Sequence, residues 1–326
     1  MSTITPVAST TRPALEIHET RPAASRALSR TRGPDPRRRG VGRSLPASRS
    51  GRQSVVLLHS GAATARQWDA LAERLRPGFD VHAVDLHVDP QRARRPDGQA
   101  LSLQEDAALV LPIIERAGSA HLIGHGYGGA LAMVVAAQRP SLVRSLAVYE
   151  PALFRLLTDH DPQSAATREA IGMADRVRSM VARGQSAAAA QTFVDYWCGP
   201  FSWARLGPEG QRPLLLRMQT VARQLEALCC EALPSQQLAR LTMPTLCLSG
   251  AQSPAAALSV ADLLRLCLRQ AQHETLAGMG HMAPITNPQA VNTRLICFLG
   301  VNVLSRGHAE QTPYDPDARP DDLTSF

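Results

Sequence analysis

The sequence predicts an α/β fold: a mostly parallel, twisted sheet with helices on both faces, interrupted once by a helical insertion. Three observations carry this. Short continuous apolar runs such as "SVVLLHS" (54–60) and "AHLIGH" (120–125) have the character of strands buried on both faces. Up to about residue 150 these runs alternate strictly with segments of helical spacing, so the connections are expected to be right-handed crossovers between parallel strands. From about 152 to 240 the alternation stops and helical segments follow one another, before a strand resumes at "PTLCLSG" (244–250).

Each element has its own signal. Residues 1–52, rich in Pro, Arg, Ser and Thr and without periodicity, are expected to form a disordered extension. After the first strand, "WDALAERLR" (68–76) places Trp68, Leu71, Ala72 and Leu75 on one helix face. "DVHAVDL" (80–86) is a second strand, and 87–100 a polar loop. In the helix "SLQEDAALVLPIIERAG", Ser102 stands three residues before Glu105 as an N-cap signal, and Gly118 closes the helix. "AHLIGH" is the third strand, "GGALAMVVAAQRP" a buried helix and "VRSLAVYEP" the fourth strand. The insertion reads as three long helices, "ATREAIGMADRVRSMVARGQ", "SAAAAQTFVDYWC" and "RPLLLRMQTVARQLEALCCEAL". A helix over 255–270, a strand "HETLAG" (273–278) and a helix over 288–300 complete the pattern. This divides the chain into a core at 53–151 and 241–303, an insertion at 152–240, and a tail at 304–326 expected to be disordered.

Composition narrows the function classes. With 44% hydrophobic residues the chain can bury a sizeable core, and all 35 basic residues are arginine, as in GC-rich bacterial coding. The formal net charge is +7, but residues 1–52 hold eleven arginines against Glu16, Glu19 and Asp35. The folded part is therefore almost neutral, and no nucleic-acid partner is expected from it. No apolar run approaches the roughly 20 residues of a membrane span, and no secretory apolar core is read at the N-terminus. A cytoplasmic location without membrane association is the expectation. The six cysteines (198, 229, 230, 247, 267, 297) form no C-x-x-C pair and read as small buried thiols. No metal site and no cofactor are read from the sequence.

The chemistry centres on "HLIGHGYGGALAM" (121–133), an apolar strand that enters a glycine-flanked bend and leaves as an alanine-rich helix. Such a turn needs small residues at Gly124 and Gly128, and the helix beginning near Tyr127 points free N–H groups at whatever occupies the bend. At the apex stands Gly126, which has no hydroxyl, thiol or carboxylate. Glu150 ends the apolar strand "LAVYEP", where an unpartnered carboxylate would be costly to bury. A salt bridge to an arginine is one way to satisfy it, and a histidine partner is another. His281 lies in "GMGHM", on a loop after a strand. His82, His121 and His273 are scattered along strands and read as structural.

Four segments in order resemble the α/β-hydrolase superfamily over about residues 54–300. "VVLLHSGAATARQW", with His59 in place, resembles the family's "HG" loop, although Ser60 replaces the glycine. "GHGYGG" resembles the nucleophile elbow G-x-S-x-G-G, the 152–240 insertion the helical cap, and "LAGMGHMAP" the loop of the catalytic histidine. The resemblance implies an α/β-hydrolase fold with His281 as general base and the backbone N–H groups of Gly61 and Tyr127 as oxyanion hole. It also places Gly126 at the nucleophile's position, so no acyl-enzyme can form there. The family's acid position after the strand ending at Gly250 reads Ser253. Glu150 then stands as the acid, in the place used by haloalkane dehalogenases among other members. An elbow nucleophile adopts a strained dihedral costing of order 1–3 kcal/mol, which glycine relieves.

Two functions follow. The first is a degenerate or non-classical hydrolase that retains the pocket and binds a small apolar or ester-like ligand. The alternative is a non-covalent enzyme (water-mediated hydrolysis, a lyase or a cofactor-free oxygenase) using His281, Glu150 and the Gly61 and Tyr127 amides. The aromatics Phe193, Tyr196, Trp197, Phe201 and Trp203 suggest an apolar roof, and equally packing between insertion and core.

Overall fold

The computed structural model describes residues 51–86, 102–231 and 233–307, with 301–307 described by backbone alone. Most of the expected N-terminal extension, the polar loop at 87–100 and the tail beyond 307 lie outside the described residues. The first half runs β1 (Gln53–Leu58), α1 (Asp69–Leu75), β2 (Phe79–Val84), α2 (Leu103–Ala117), β3 (Ala120–His125), α3 (Tyr127–Gln138) and β4 (Val143–Tyr149). Then come α4 (Phe154–His160), α5 (Ala165–Ala182), α6 (Ser186–Cys198), α7 (Ser202–Arg205), α8 (Gly207–Cys230) and α9 (Ser235–Leu238). The chain returns through β5 (Thr245–Gly250), α10 (Ala255–Cys267), β6 (Gln272–Leu276), α11 (Ala283–Thr286) and α12 (Pro288–Gly307).

The strands form one sheet in the order β2-β1-β3-β4-β5-β6, and every pairing is parallel. Alternate residues of a strand feed opposite faces. Val56 and Leu58 face the core that α2 and α3 cover, whereas Val55 and Leu57 belong to the opposite core with Trp68, Leu71 and Leu75 of the α1 region and Leu295 of α12. Burial on both faces is why these strands read as unbroken apolar runs rather than alternating ones. Helix α3 is buried on every side from Tyr127 to Ala136, as a helix without a polar face must be.

Several elements differ in detail from the sequence expectation. Ser102 does cap α2, accepting from the Gln104 N–H, but the Glu231 carboxylate at the end of α8 also accepts from the N–H groups of Leu103 and Gln104. A carboxylate at a helix N-terminus satisfies free donors and meets the positive end of the dipole. Helix α8 starts five residues before the expected 212, taking Gly207 and Pro208 into its first turn, where proline's missing N–H costs nothing. The cysteines are all free thiols, but only Cys247 is fully buried, while Cys198, Cys230 and Cys297 are exposed. Cys297 lies in an apolar run, yet α12 buries Val291, Leu295, Phe298 and Leu299 and leaves position 297 facing outward.

Candidate active site

The bend between β3 and α3 is held by backbone on all sides. The Gly126 N–H donates to the Tyr149 carbonyl (3.1 Å), and the Gly126 carbonyl accepts from the N–H groups of Ala130 (3.0 Å) and Ala152 (3.1 Å). Gly126 has φ +54° and ψ −113°, a left-handed conformation strained in any residue with a side chain. The flanking glycines serve packing: a Cβ at Gly124 would run into the Gly128 carbonyl, and one at Gly128 into the Leu58 carbonyl. Helix and strand can approach this closely only without those side chains.

The loop after β1 is tied to the same bend, with the Gly128 N–H donating to the His59 carbonyl (3.1 Å). His59 is buried; its Nε2 accepts from the Leu86 N–H (2.8 Å) and its Nδ1 lies 2.7 Å from the Ser60 carbonyl. It therefore shapes the loop from behind. Neither the Gly61 nor the Tyr127 N–H has an acceptor among the described residues, and both residues line one cavity with Gly126 and His281. The Tyr127 side chain turns away to donate to Asp106 (2.6 Å); burial first, and then Asp106, holds its phenol well above the usual range.

His281 and Glu150 meet. The two are nearly fully buried, and His281 Nδ1 lies 2.8 Å from Glu150 Oε2. With the carboxylate as acceptor, Nδ1 carries the proton and Nε2 is the basic nitrogen. Nε2 faces the bend, 3.3 Å from where a Cβ on Gly126 would stand. Glu150 Oε1 accepts from the Gly250 N–H (2.6 Å) and the Ser253 hydroxyl (2.5 Å). Ser253, itself uncharged, thus helps to hold the Glu150 carboxylate. The carboxylate has His281, not an arginine, as its side-chain partner across the site. Glu150 has φ +42°, one of two non-glycine residues among those described with a positive φ.

Three contacts around the histidine were not apparent from the sequence. Trp197 of α6 stacks on the His281 ring at 3.8 Å between centroids and 28° between planes. Tyr149 donates to the Gly280 carbonyl (2.8 Å) and anchors the loop. His125, in the strand position before the apex, donates from Nε2 to the His281 carbonyl (2.9 Å), with ring centroids 4.7 Å apart. Burial, and next the neighbouring His281, pushes His125 well below the ordinary imidazole range. It stays neutral in the folded chain, while the unfolded chain takes up a proton below about pH 6.5. Stability is therefore expected to fall as pH drops below about 6.5, by at most about 1.4 kcal/mol per pH unit from this group. Urea midpoints of His125→Gln between pH 5 and 7 should show a flatter acid limb; an unchanged limb would exclude His125 as its source.

Above the bend, the helical segment between β4 and β5 closes a cavity of about 620 Å³. Phe193 and Trp197 line it. Of the other aromatics, Tyr196 turns to Glu169 (2.8 Å), Trp203 packs against the core and Phe201 is 75% exposed, so two of the five line the cavity and Tyr196 and Trp203 take the packing role. Most of the lining is apolar. Gln224 of α8 also faces the cavity and is only 2% exposed, and neither polar atom of its amide has a partner among the described residues. No cluster of side chains among the described residues could hold a metal ion, and no helix there is long and apolar enough to cross a membrane.

A parallel sheet with helices on both faces, a glycine-flanked strand–helix bend and a carboxylate-held histidine agree with the match of one family model. The model described as the alpha/beta hydrolase family covers residues 55–294. The chain belongs to the alpha/beta hydrolase family. Mouse sn-1-specific diacylglycerol lipase ABHD11 is 25% identical over 263 residues, covering 76% of this chain and 80% of the lipase. A pimeloyl-[acyl-carrier protein] methyl ester esterase of Yersinia enterocolitica is 36% identical over 92 residues, which is 28% of this chain and only 34% of the esterase. Among solved structures, a hydrolase from Pseudomonas aeruginosa PA01 superposes with a TM-score of 0.62 at 22% identity, covering 78% of this chain and 92% of that one. At that identity the likeness shows the alpha/beta hydrolase fold alone. The position facing His281 is Gly126, which supplies no nucleophilic atom.

Proposed function

We propose that this alpha/beta hydrolase cleaves a small apolar ester without a covalent intermediate. His281, oriented by Glu150, takes a proton from a water beside Gly126, and the water oxygen attacks the ester carbonyl. The N–H groups of Gly61 and Tyr127 hold the oxygen that becomes negative. The tetrahedral intermediate collapses, the C–O bond to the alcohol breaks, and His281 returns the proton to the departing alkoxide. The lipase and esterase relatives support an ester as substrate, and the apolar cavity supports a small apolar one.

The observation that carries this reading is the Glu150–His281 pair at 2.8 Å, with Glu150 held by two further donors and at a positive φ. A strained, buried carboxylate is costly to keep, and a site that only binds gains nothing from a basic nitrogen aimed at Gly126. A binding-only role draws support from Trp197, whose indole covers one face of the imidazole.

Turnover of p-nitrophenyl butyrate separates them. Wild type is expected to turn the ester over slowly, and His281→Ala to lose about 10²–10⁴-fold, the usual worth of a general base. A fluorophosphonate should leave the wild type unlabelled. Equal rates in wild type and His281→Ala would establish the binding role instead. A label mapped to Ser60, whose Cβ lies 3.3 Å from the Cβ position of residue 126, would mean that a serine attacks from the neighbouring loop.

A further inference from the structure

We propose that Gln224 reads a carboxamide on the ligand, so that the substrate class is an apolar ester bearing an amide group. The ester half of this class rests on the hydrolytic reading above; the carboxamide contact rests only on the cavity above Gly126 being the ligand site and does not depend on turnover. Gln224 sits in the apolar stripe of α8 with Val221, Leu225 and Leu228, all of which line the same cavity. Its side chain is 2% exposed, yet both Nε2 and Oε1 lack a hydrogen-bond partner among the described residues. Buried amides are ordinarily paired, and a helix position facing Leu and Val is more stable with an apolar residue. An amide kept there needs its partner from whatever enters the cavity.

Position and chemistry define that partner. A Cβ on Gly61 would lie 2.9 Å from Gln224 Oε1, so the amide rests against the loop that carries the Gly61 N–H. One ligand group must both accept from Nε2 and donate to Oε1. A carboxamide or lactam does both in one plane, whereas an ester or ketone only accepts. Exchanging the assignment of Nε2 and Oε1 changes nothing, since both are unpartnered. The Arg217 guanidinium, two turns earlier on α8, donates to the Ala62 carbonyl (3.2 Å) and braces the helix against the same loop.

Hexanamide and 2-heptanone have the same number of heavy atoms, and only the former can donate. In ligand-observed NMR titrations, wild type is expected to bind hexanamide about tenfold more tightly than 2-heptanone. In Gln224→Leu the two affinities should fall within about twofold of each other, with 2-heptanone bound at least as tightly as by wild type. Gln224→Met provides a second apolar variant should the first fold poorly, and unfolding midpoints of both should equal or exceed the wild type. Equal affinities in wild type, a preference retained in both variants, or no binding of either probe would overturn the proposal. Ester turnover and its dependence on His281 are read separately, so failure here leaves the hydrolytic reading to its own test.

Discussion

Gly126→Ser is expected to acquire fluorophosphonate labelling at position 126 and to hydrolyse p-nitrophenyl butyrate at least about 10²-fold faster than wild type. The surroundings support this. A Cβ at 126 would stand 3.3 Å from His281 Nε2, 3.3 Å from the Ser60 Cβ and 3.5 Å from His281 Cε1, contacts that are tight but relieved by small shifts. The hydroxyl, one bond further, comes within hydrogen-bonding reach of Nε2, and Glu150 already fixes the tautomer that accepts its proton. The cost lies in the backbone. A side chain at φ +54° carries strain of order 1–3 kcal/mol, and a domain of roughly this size loses about 2–4 °C in Tm per kcal/mol. Gly126→Ala bears the same strain without a hydroxyl and occupies the space where the proposed water reacts. It should be destabilised like the serine variant and turn over more slowly than wild type. The gain in Gly126→Ser should vanish in Gly126→Ser/His281→Ala. An unlabelled, folded Gly126→Ser would show that the histidine and amides are not set for attack from position 126.

The alternation of strands and helices, the bend and the Glu150–His281 pair were legible because each follows from a local constraint. Gly124 and Gly128 mark a close approach of backbones, and a glutamate ending an apolar strand demands a partner. The demand did not reveal how completely it is met. Ser253 stands where an acid is expected and reads as a loss, yet it donates to Glu150, the carboxylate that holds His281. That contact depends on β4 and β5 lying side by side, with Glu150 and Gly250 at their ends. Glu231 capping α2 is of the same kind, since it joins segments about 130 residues apart.

Other misses came from reading local composition without helix phase. "LICFLG" looks uniformly buried, but α12 turns Cys297 outward. "WCGPFSW" looks like one aromatic patch, but the chain bends at Gly199 and leaves Phe201 exposed. Gln224 was recoverable from phase. It lies three residues after Val221 and four before Leu228, a polar residue in an apolar stripe, the pattern that marks a buried amide.

Glu150→Gln is expected to fold and to lose about 10²–10⁴-fold in ester turnover. The side chain is nearly isosteric, and its amide oxygen can still accept from the Gly250 N–H and the Ser253 hydroxyl. Its NH₂ then faces His281 Nδ1, where wild type has a carboxylate oxygen at 2.8 Å. Two donors cannot share that contact, so the imidazole moves its proton to Nε2 and accepts at Nδ1. Nε2 now points a hydrogen at the proposed water instead of a lone pair, and the base is lost while the geometry remains. KM should change little, and the free energy of unfolding should fall by about 1–3 kcal/mol for the charge-assisted bond that is lost. Glu150→Ala behaves differently, because it leaves the Gly250 N–H, the Ser253 hydroxyl and the His281 ring without their acceptor in a fully buried place. Each buried donor left unsatisfied costs about 1–3 kcal/mol, so this variant should lose stability as well as turnover. Wild-type turnover in a folded Glu150→Gln would remove the tautomer argument, and with it the role of His281 as the base.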